Sequence, residues 1–367
     1  MNKLIFANLL HRPLRSIISV LAVAIEVIMI LSIVAIFMGM LNDQKQRTNG
    51  IGADLMMRPS SASYMNGVGG ATIPVKFADA LRRLPHVAVV SPVNQSLTTN
   101  GSVQVIFGID YPTFDALKPF VFVAGGPFKG PDDVIIDDIE AKTNGGYQIG
   151  DTKEVFDHKF TISGIVEHGK GGRVLLPLET MDSLTGSPDK ASIFYIKCDD
   201  PANEQTVIQE IHATRGLEEY PVQTMEEWLS LMTPEKIPAF NISLKVVTGI
   251  AVIVGFLVIF QSMYTAVLER TREIGILKSM GASKATIVGV VLRECAVLAA
   301  LGVVLGIAGA FGVRTLIDHV FPTMSFQITS RWLLQGAAIA FGGAICGAIY
   351  PAWIAARKDP VDALAYE

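Results

Sequence analysis

Residues 17–41 read IISVLAVAIEVIMILSIVAIFMGML, and this stretch decides the class of the molecule. Apart from Glu26 and a few small polar residues it is wholly apolar, and about 20 such residues in a helix cross the hydrocarbon layer of a bilayer. Lys3, Arg12 and Arg15 precede it, so a cleaved signal peptide is the alternative. The stretch exceeds the roughly 7–15 residues of a signal-peptide core and has no A-x-A exit, which favours an uncleaved anchor. Upstream, Leu4, Ile5, Leu9 and Leu10 alternate with polar residues at near-helical spacing, the pattern of an interfacial helix over 1–15, with Pro13 as its elbow into the membrane.

Working outward, three more apolar runs follow: Ile242–Leu268, Ala285–Ile317 and Trp332–Ala356. The expected organisation is an interfacial segment 1–15, a first transmembrane helix 16–41, a domain 42–241, a second helix 242–268, a loop 269–284, a third helix 285–317, a loop 318–331, a fourth helix 332–356 and a tail 357–367. The whole chain is 50% hydrophobic and 17% charged, yet residues 42–240 hold 17 Lys+Arg and 26 Asp+Glu, a net of −9, against +5 for the remainder. An acidic soluble domain on a basic membrane portion excludes nucleic-acid binding, which needs a basic stripe on the soluble part.

Orientation follows from the short loops. Arg270, Arg272, Lys278 and Lys284 lie between the second and third runs, Arg357 and Lys358 follow the fourth, and the 318–331 loop carries only Arg331. Positive charge marks the cytoplasmic side, so both termini and the 269–284 loop are expected inside and 42–241 outside. Gly302, Gly306 and Ala310 recur at every fourth position, and Gly343 and Gly347 form a GxxxG; such small faces let membrane helices approach closely.

The exterior domain has the pattern of an α+β fold. Candidate strands are 88–93, 102–108, 133–136, 159–166, 173–176 and 192–197, and candidate helices are 75–83 and 203–214. Asn42–Thr48 and Thr224–Met232 are expected to prolong the first and second helices outward as a stalk, with Pro234 and Pro238 breaking the second.

Chemistry-bearing motifs are few. The three cysteines form no CxxC, and the six histidines form no HExxH. Gly164 to Gly171 nearly spells a phosphate-binding loop, but Gly171 offers no hydroxyl and a strand-like RVLLPL follows, so a β-hairpin loop is expected instead. Asp132, Asp133, Asp137, Asp138 and Glu140 lack EF-hand spacing and fit a solvated strand edge and turn. No spacing selects a catalytic triad.

The most informative stretch is Glu269 to Ile287, ERTREIGILKSMGASKATI. Apolar Ile274, Ile276, Leu277 and Met280 alternate with charges, Gly281 suits a helix C-terminus, and Ser283 suits the cap of the next helix. It is either a charged turn or a short amphipathic helix docked in a partner's groove. This stretch resembles the cytoplasmic signature of FtsX-like ABC permeases, and Tyr350 to Glu367, YPAWIAARKDPVDALAYE, resembles their C-terminal pattern. In the exterior domain IGADLMMRPS, VIIDDIEAKTNGGYQIGD and ISGIVEHGKGGRVLLPLETMDSL resemble the MacB-like periplasmic domain.

The resemblance implies a four-span permease of a bacterial inner membrane, forming a homodimer or pseudo-dimer and served by a separate ABC ATPase subunit that binds the ATP. The chain would need no cofactor of its own. The implied ATPase-coupling residues are Arg272, Glu273, Gly275, Ile276, Leu277, Lys278, Gly281 and Ala282. The implied function is export or extraction of a lipophilic or amphiphilic cargo, with a membrane-fusion protein as a possible further partner. The alternative is mechanical regulation of an extracytoplasmic hydrolase or assembly without cargo. A membrane-bound enzyme lacks a catalytic motif. Glu26 departs from the small residue expected there; it is either a structurally hydrogen-bonded carboxyl or, with Met29, a cargo or cation contact in a dimer seam. Arg293 and Glu294 are its candidate charge partners, unless they sit near the cytoplasmic end and snorkel.

The charge asymmetry predicts labelling. With Cys198, Cys295 and Cys346 replaced, cysteines introduced at positions 130 and 325 react with an impermeant maleimide from outside, and one at 282 does not. The reverse pattern inverts the topology.

Overall fold

The computed structural model describes residues 13–59, 72–98, 104–186, 188–234 and 236–358. Residues 1–12 of the expected interfacial helix and 359–367 of the expected tail lie outside them. In chain order the elements are α1 (Pro13–Asn49), β1 (Leu55–Met57), β2 (Ile73–Pro74), α2 (Phe77–Leu81), β3 (Val87–Thr98), β4 (Gln104–Ile109), α3 (Tyr111–Leu117), β5 (Phe122–Gly125), β6 (Asp133–Asp137), β7 (Thr152–Val155), β8 (His158–Val166), β9 (Val174–Pro177), α4 (Leu178–Thr185), β10 (Lys190–Ala191), β11 (Ile193–Cys198), α5 (Glu204–Ala213), β12 (Val222–Thr224), α6 (Met225–Leu231), α7 (Pro238–Glu269), α8 (Thr271–Ser279), α9 (Lys284–Val320) and α10 (Ser330–Arg357). The chain divides into two compact units, one of apolar helices and one comprising residues 41–236 and 321–323.

In the helical unit α1, α7, α9 and α10 are each long and apolar enough to cross a membrane. Lipid gives no hydrophobic gain for burying one apolar helix against another, so association relies on close packing. The glycine spacing supplies it. A Cβ on Gly302 would lie 2.6 Å from Val23 Cβ, and one on Gly306 would lie 2.6 Å from Val27 Cβ, so α1 sits directly on the backbone of α9. Likewise a Cβ on Gly347 would lie 2.8 Å from the Phe256 carbonyl oxygen, seating α10 on α7. Val23, Val27, Ile259, Met263, Leu298, Ala299 and Ala344 fill the core between these helices.

In the second unit the described residues form a 10-stranded sheet in the order β12-β1-β11-β3-β4-β9-β6-β8-β5, with β7 on β8, plus a β2–β10 pair. Successive strand residues point to opposite faces, and both faces are covered. Ile193 and Tyr195 join one core while Phe194 and Ile196 join another; Ile135 and Leu175 face the first while Val134, Ile136, Val174 and Leu176 face a third. Burial on two sides explains why DVIID and VLLP read as continuous apolar runs rather than alternating ones.

One local expectation holds and three are refined or overturned. Asn42–Thr48 does prolong the first helix, which runs unbroken to Asn49. Thr224–Met232 does not prolong the second. It starts a separate helix, α6, because Thr224 and Glu227 close a capping box and Met225 and Trp228 bury into the domain core. The segment between β8 and β9 is not a hairpin loop, since β6 lies between those strands and pairs with both. Lys170 there is buried: its ammonium donates to the carbonyls of Phe114, at 3.0 Å, and Lys118, and lies 3.9 Å from the centre of the Phe120 ring. Burial lowers its pKa to about 8. The acidic cluster is only partly a solvated edge. Asp137 and Glu140 are buried, Glu140 taking hydrogen bonds from Lys153 Nζ at 2.7 Å and Gln104 Nε2 at 3.0 Å, while Asp132 pairs with His158 and Asp138 with His168, each at 2.9 Å.

The glycine contacts predict a contrast on one helix. Gly306→Ala forces α9 off α1 and costs about 1–3 kcal/mol, lowering the melting temperature of the detergent-solubilised permease. Gly312→Ala, where an added Cβ meets nothing within 4 Å, leaves it unchanged or slightly raised.

Candidate coupling site

The loop between α7 and α9 folds into α8 for local reasons. Thr271 donates its hydroxyl to the Leu268 carbonyl at 2.8 Å, occupying an acceptor at the end of α7. At the other end Gly281 has φ +94, a conformation only glycine adopts without cost. It lets the Gly281 amide reach the Lys278 carbonyl and the Ala282 amide reach the Leu277 carbonyl, both at 3.0 Å. That pair of bonds is a Schellman termination, completed by packing of Leu277 and Ala282 in one cluster. Ser283 then caps α9, its hydroxyl accepting from the Thr286 amide at 3.2 Å.

The helix has two different faces. Inward, Ile274 and Gly275 are buried, and Leu277 packs with Val267, Ile287, Ala355 and Ala356. Lys278 turns inward as well: its ammonium donates to the carbonyls of Ala356, at 3.1 Å, and Lys358, satisfying acceptors at the end of α10. Arg270 donates from Nη1 to both oxygens of Glu294, at 3.2 and 3.0 Å, and this pair is nearly buried. Outward, Arg272, Glu273, Ile276, Ser279 and Met280 are exposed and fall within one helical stripe, with Gly281 beyond them. Ile276 is 43% and Met280 72% exposed.

The sequence-derived set is therefore divided. Arg272, Glu273, Ile276 and Gly281 stand on the outward side, whereas Gly275, Leu277, Lys278 and Ala282 serve the internal packing of α8. Met280, which belongs with the first group, follows Ile276 by one turn; that spacing is the signal that marks it.

Glu26 lies inside the helical unit, 4% exposed, and neither carboxylate oxygen has a hydrogen-bond partner among the described residues. Its room comes from a missing side chain: a Cβ on Gly255 would lie 1.8 Å from Oε2, and one on Gly343 would lie 3.9 Å from Oε1. Neither proposed charge partner reaches it, because Glu294 is taken by Arg270 and Arg293 is exposed. Met29 is half-buried one turn on.

Residues 16–214 match the family model of the MacB-like periplasmic core domain, and residues 245–360 match that of the FtsX-like permease C-terminal domain. The ABC transporter permease YknZ of Bacillus subtilis (strain 168) is 25% identical over 398 residues, covering 100% of this chain and 98% of that one. The macrolide export ATP-binding/permease protein MacB of Shewanella sp. (strain W3-18-1) is 28% identical over 395 residues, covering 97% of this chain. The chain spans 59% of the length of that relative. Among solved structures, the periplasmic region of MacB from Actinobacillus actinomycetemcomitans aligns with a TM-score of 0.38 at 15% identity, over 49% of this chain and 92% of that one.

The two faces of α8 separate by stability. Leu277→Ala removes packed atoms and costs about 2 kcal/mol or more, while Ile276→Ala stays within about 0.5 kcal/mol of the parent. Thermal unfolding of the two variants in detergent checks the difference.

Proposed function

The chain belongs to the ABC transporter permeases that join a MacB-like periplasmic core domain to an FtsX-like permease domain, and we propose that a separate ABC ATPase drives it to export or extract a lipophilic or amphiphilic cargo. As a permease subunit it is a multi-pass membrane protein with an extracytoplasmic domain, and not an enzyme. The loop Lys/Arg content supports cytoplasmic termini and a cytoplasmic α8.

The observation that carries this proposal is the outward stripe of α8. Ile276 and Met280 offer two neighbouring apolar side chains, flanked by Arg272 and Glu273, the composition of a helix that seats in a groove. The opposite face is tied to α10 by Lys278 and packed by Leu277 against Val267, Ile287, Ala355 and Ala356. A partner pushing on the stripe therefore moves the membrane helices rather than a free loop. Apolar anchors dominate such contacts, at about 2 kcal/mol or more for a true hot spot, while exposed ion pairs add roughly 0–1 kcal/mol.

Glu26 and Met29 are the residues proposed to meet cargo, on the ground that an unpartnered acid inside a membrane bundle is costly and is retained for use. Homodimerisation and a membrane-fusion partner belong to the same proposal by analogy with the family. A second function, mechanical regulation of an extracytoplasmic partner without cargo, is favoured by one feature: α1 continues without a break from its apolar stretch into polar turns ending at Asn49, as a transmitting rod does.

Co-purification of the ATPase with tagged permease tests the docking. Ile276→Ala with Met280→Ala abolishes or strongly reduces recovery of the ATPase, and Arg272→Ala alone reduces it mildly. Full recovery with a membrane-inserted, correctly folded double variant removes the docking role from α8.

A further inference from the structure

Arg173 lies in the segment between β8 and β9, is 7% exposed, and holds three parts of the extracytoplasmic unit that are distant in sequence. Its Nη1 donates to Asp137 Oδ2 on β6 at 3.2 Å. Its Nη2 donates to Asp43 Oδ1, on the last turns of α1, at 3.0 Å, and to the Thr323 carbonyl, in the loop between α9 and α10, at 3.4 Å. The remaining oxygens are also engaged. Asp43 Oδ2 accepts from Arg47 Nε at 3.0 Å, and Asp137 Oδ1 accepts from the Glu140 amide at 2.6 Å. Arg47 in turn exchanges with the same segment, the Gly171 amide reaching the Arg47 carbonyl at 2.9 Å and Arg47 Nη1 reaching the Gly171 carbonyl at 3.3 Å.

The segment carrying Arg173 is itself tied at several points. A Cβ on Gly50 would lie 1.6 Å from the Gly169 carbonyl oxygen, so the end of α1 rests on its backbone. Lys170 ties the segment to α3 through two carbonyls, and the Asp137 amide bonds the Arg173 carbonyl at 2.9 Å. Burial pushes the Asp137 carboxyl up to about 6 although Arg173 pulls it down, so desolvation outweighs the attraction, as is common for buried ion pairs. What a planar guanidinium adds is directional: two acceptors are held at fixed angles to each other, which a lysine ammonium does not do.

We propose that Arg173 is the positioning residue that passes movement of the outer end of α1 to the sheet, by clasping Asp43, Asp137 and the Thr323 carbonyl as one body. This rests on the proposed ATPase-driven movement of the membrane helices.

The test uses the full-length permease in lipid nanodiscs, alone and with the ATPase that co-purifies with it, read by amide hydrogen exchange over residues 41–50, 133–137 and 321–323. In the permease alone, Arg173→Gln accelerates exchange in 41–50 and 321–323 together, on the order of a hundredfold, while β3 and β11 stay protected. Release of one segment without the other overturns the clasp. With the ATPase and vanadate-trapped nucleotide, the parent shows a change in all three segments; in Arg173→Gln the change persists in 41–50 and vanishes from 133–137, with ATP hydrolysis continuing. Arg173→Lys behaves like Arg173→Gln because it lacks the fork. An unaltered response of 133–137 in the variants overturns the inference and leaves the ATPase-driven function standing. A parent that binds the ATPase but responds nowhere overturns that function, and the permease-alone result then decides the clasp. Should Arg173→Gln fail to fold, Asp43→Ala, which removes the α1 arm together with the Arg47 contact, must show the same loss of transmission.

Discussion

The contact of Val23 and Val27 with the backbone of α9 at Gly302 and Gly306 is the constraint from which the rest follows. Apolar helices in lipid gain nothing from merely avoiding water, so they hold together only where their surfaces fit closely. The fit fixes α1. The same helix continues without interruption to Asn49, so Val27, Asp43 and Arg47 lie on one element. The second membrane helix differs: residues 232–237, with Pro234, separate α6 from α7. One connection is therefore a continuous helix and the other is interrupted.

Among the described residues, several buried charged groups pair with an opposite charge, and Glu26 does not. Arg270 and Glu294 satisfy each other beside α8, and Arg173, Asp137, Asp43 and Arg47 close into a network with as many positive as negative groups. Such pairs contribute little to stability against an apolar replacement but make the loss of one member expensive. One such group lies beside the loop proposed to meet the ATPase, the other joins the outer turns of α1 to β6. Glu26 stands apart, held in a notch left by Gly255 with neither oxygen partnered among the described residues.

The helix α8 shows how a short element combines two tasks. Nine residues cannot form a stable helix by themselves in water, and α8 is stabilised by the Schellman turn at Gly281, by Leu277 in the core and by Lys278 on the carbonyls of α10. The same anchoring leaves Ile276 and Met280 standing outward on a fixed frame. Exposed apolar side chains on a rigid element lose little entropy on docking, which favours association.

Much of this was legible in the sequence. Four spans follow from the length of the apolar runs, the close helix contacts from glycine at every fourth position, and the end of α8 and start of α9 from Gly281 and Ser283, because each depends on local backbone chemistry or on a periodicity within one element. Leu277 and Lys278 differ. Both lie in the same amphipathic pattern as Ile276, and only the position of α10 shows that they turn inward. The strand pairing that sets β6 between β8 and β9, the separate helix at Met225–Leu231, and the meeting of Arg173 with Asp43, Asp137 and Thr323 were likewise decided by tertiary structure. Those partners are separated by 130, 36 and 150 residues, and no local propensity records which distant side chain will fill a buried guanidinium's remaining bonds.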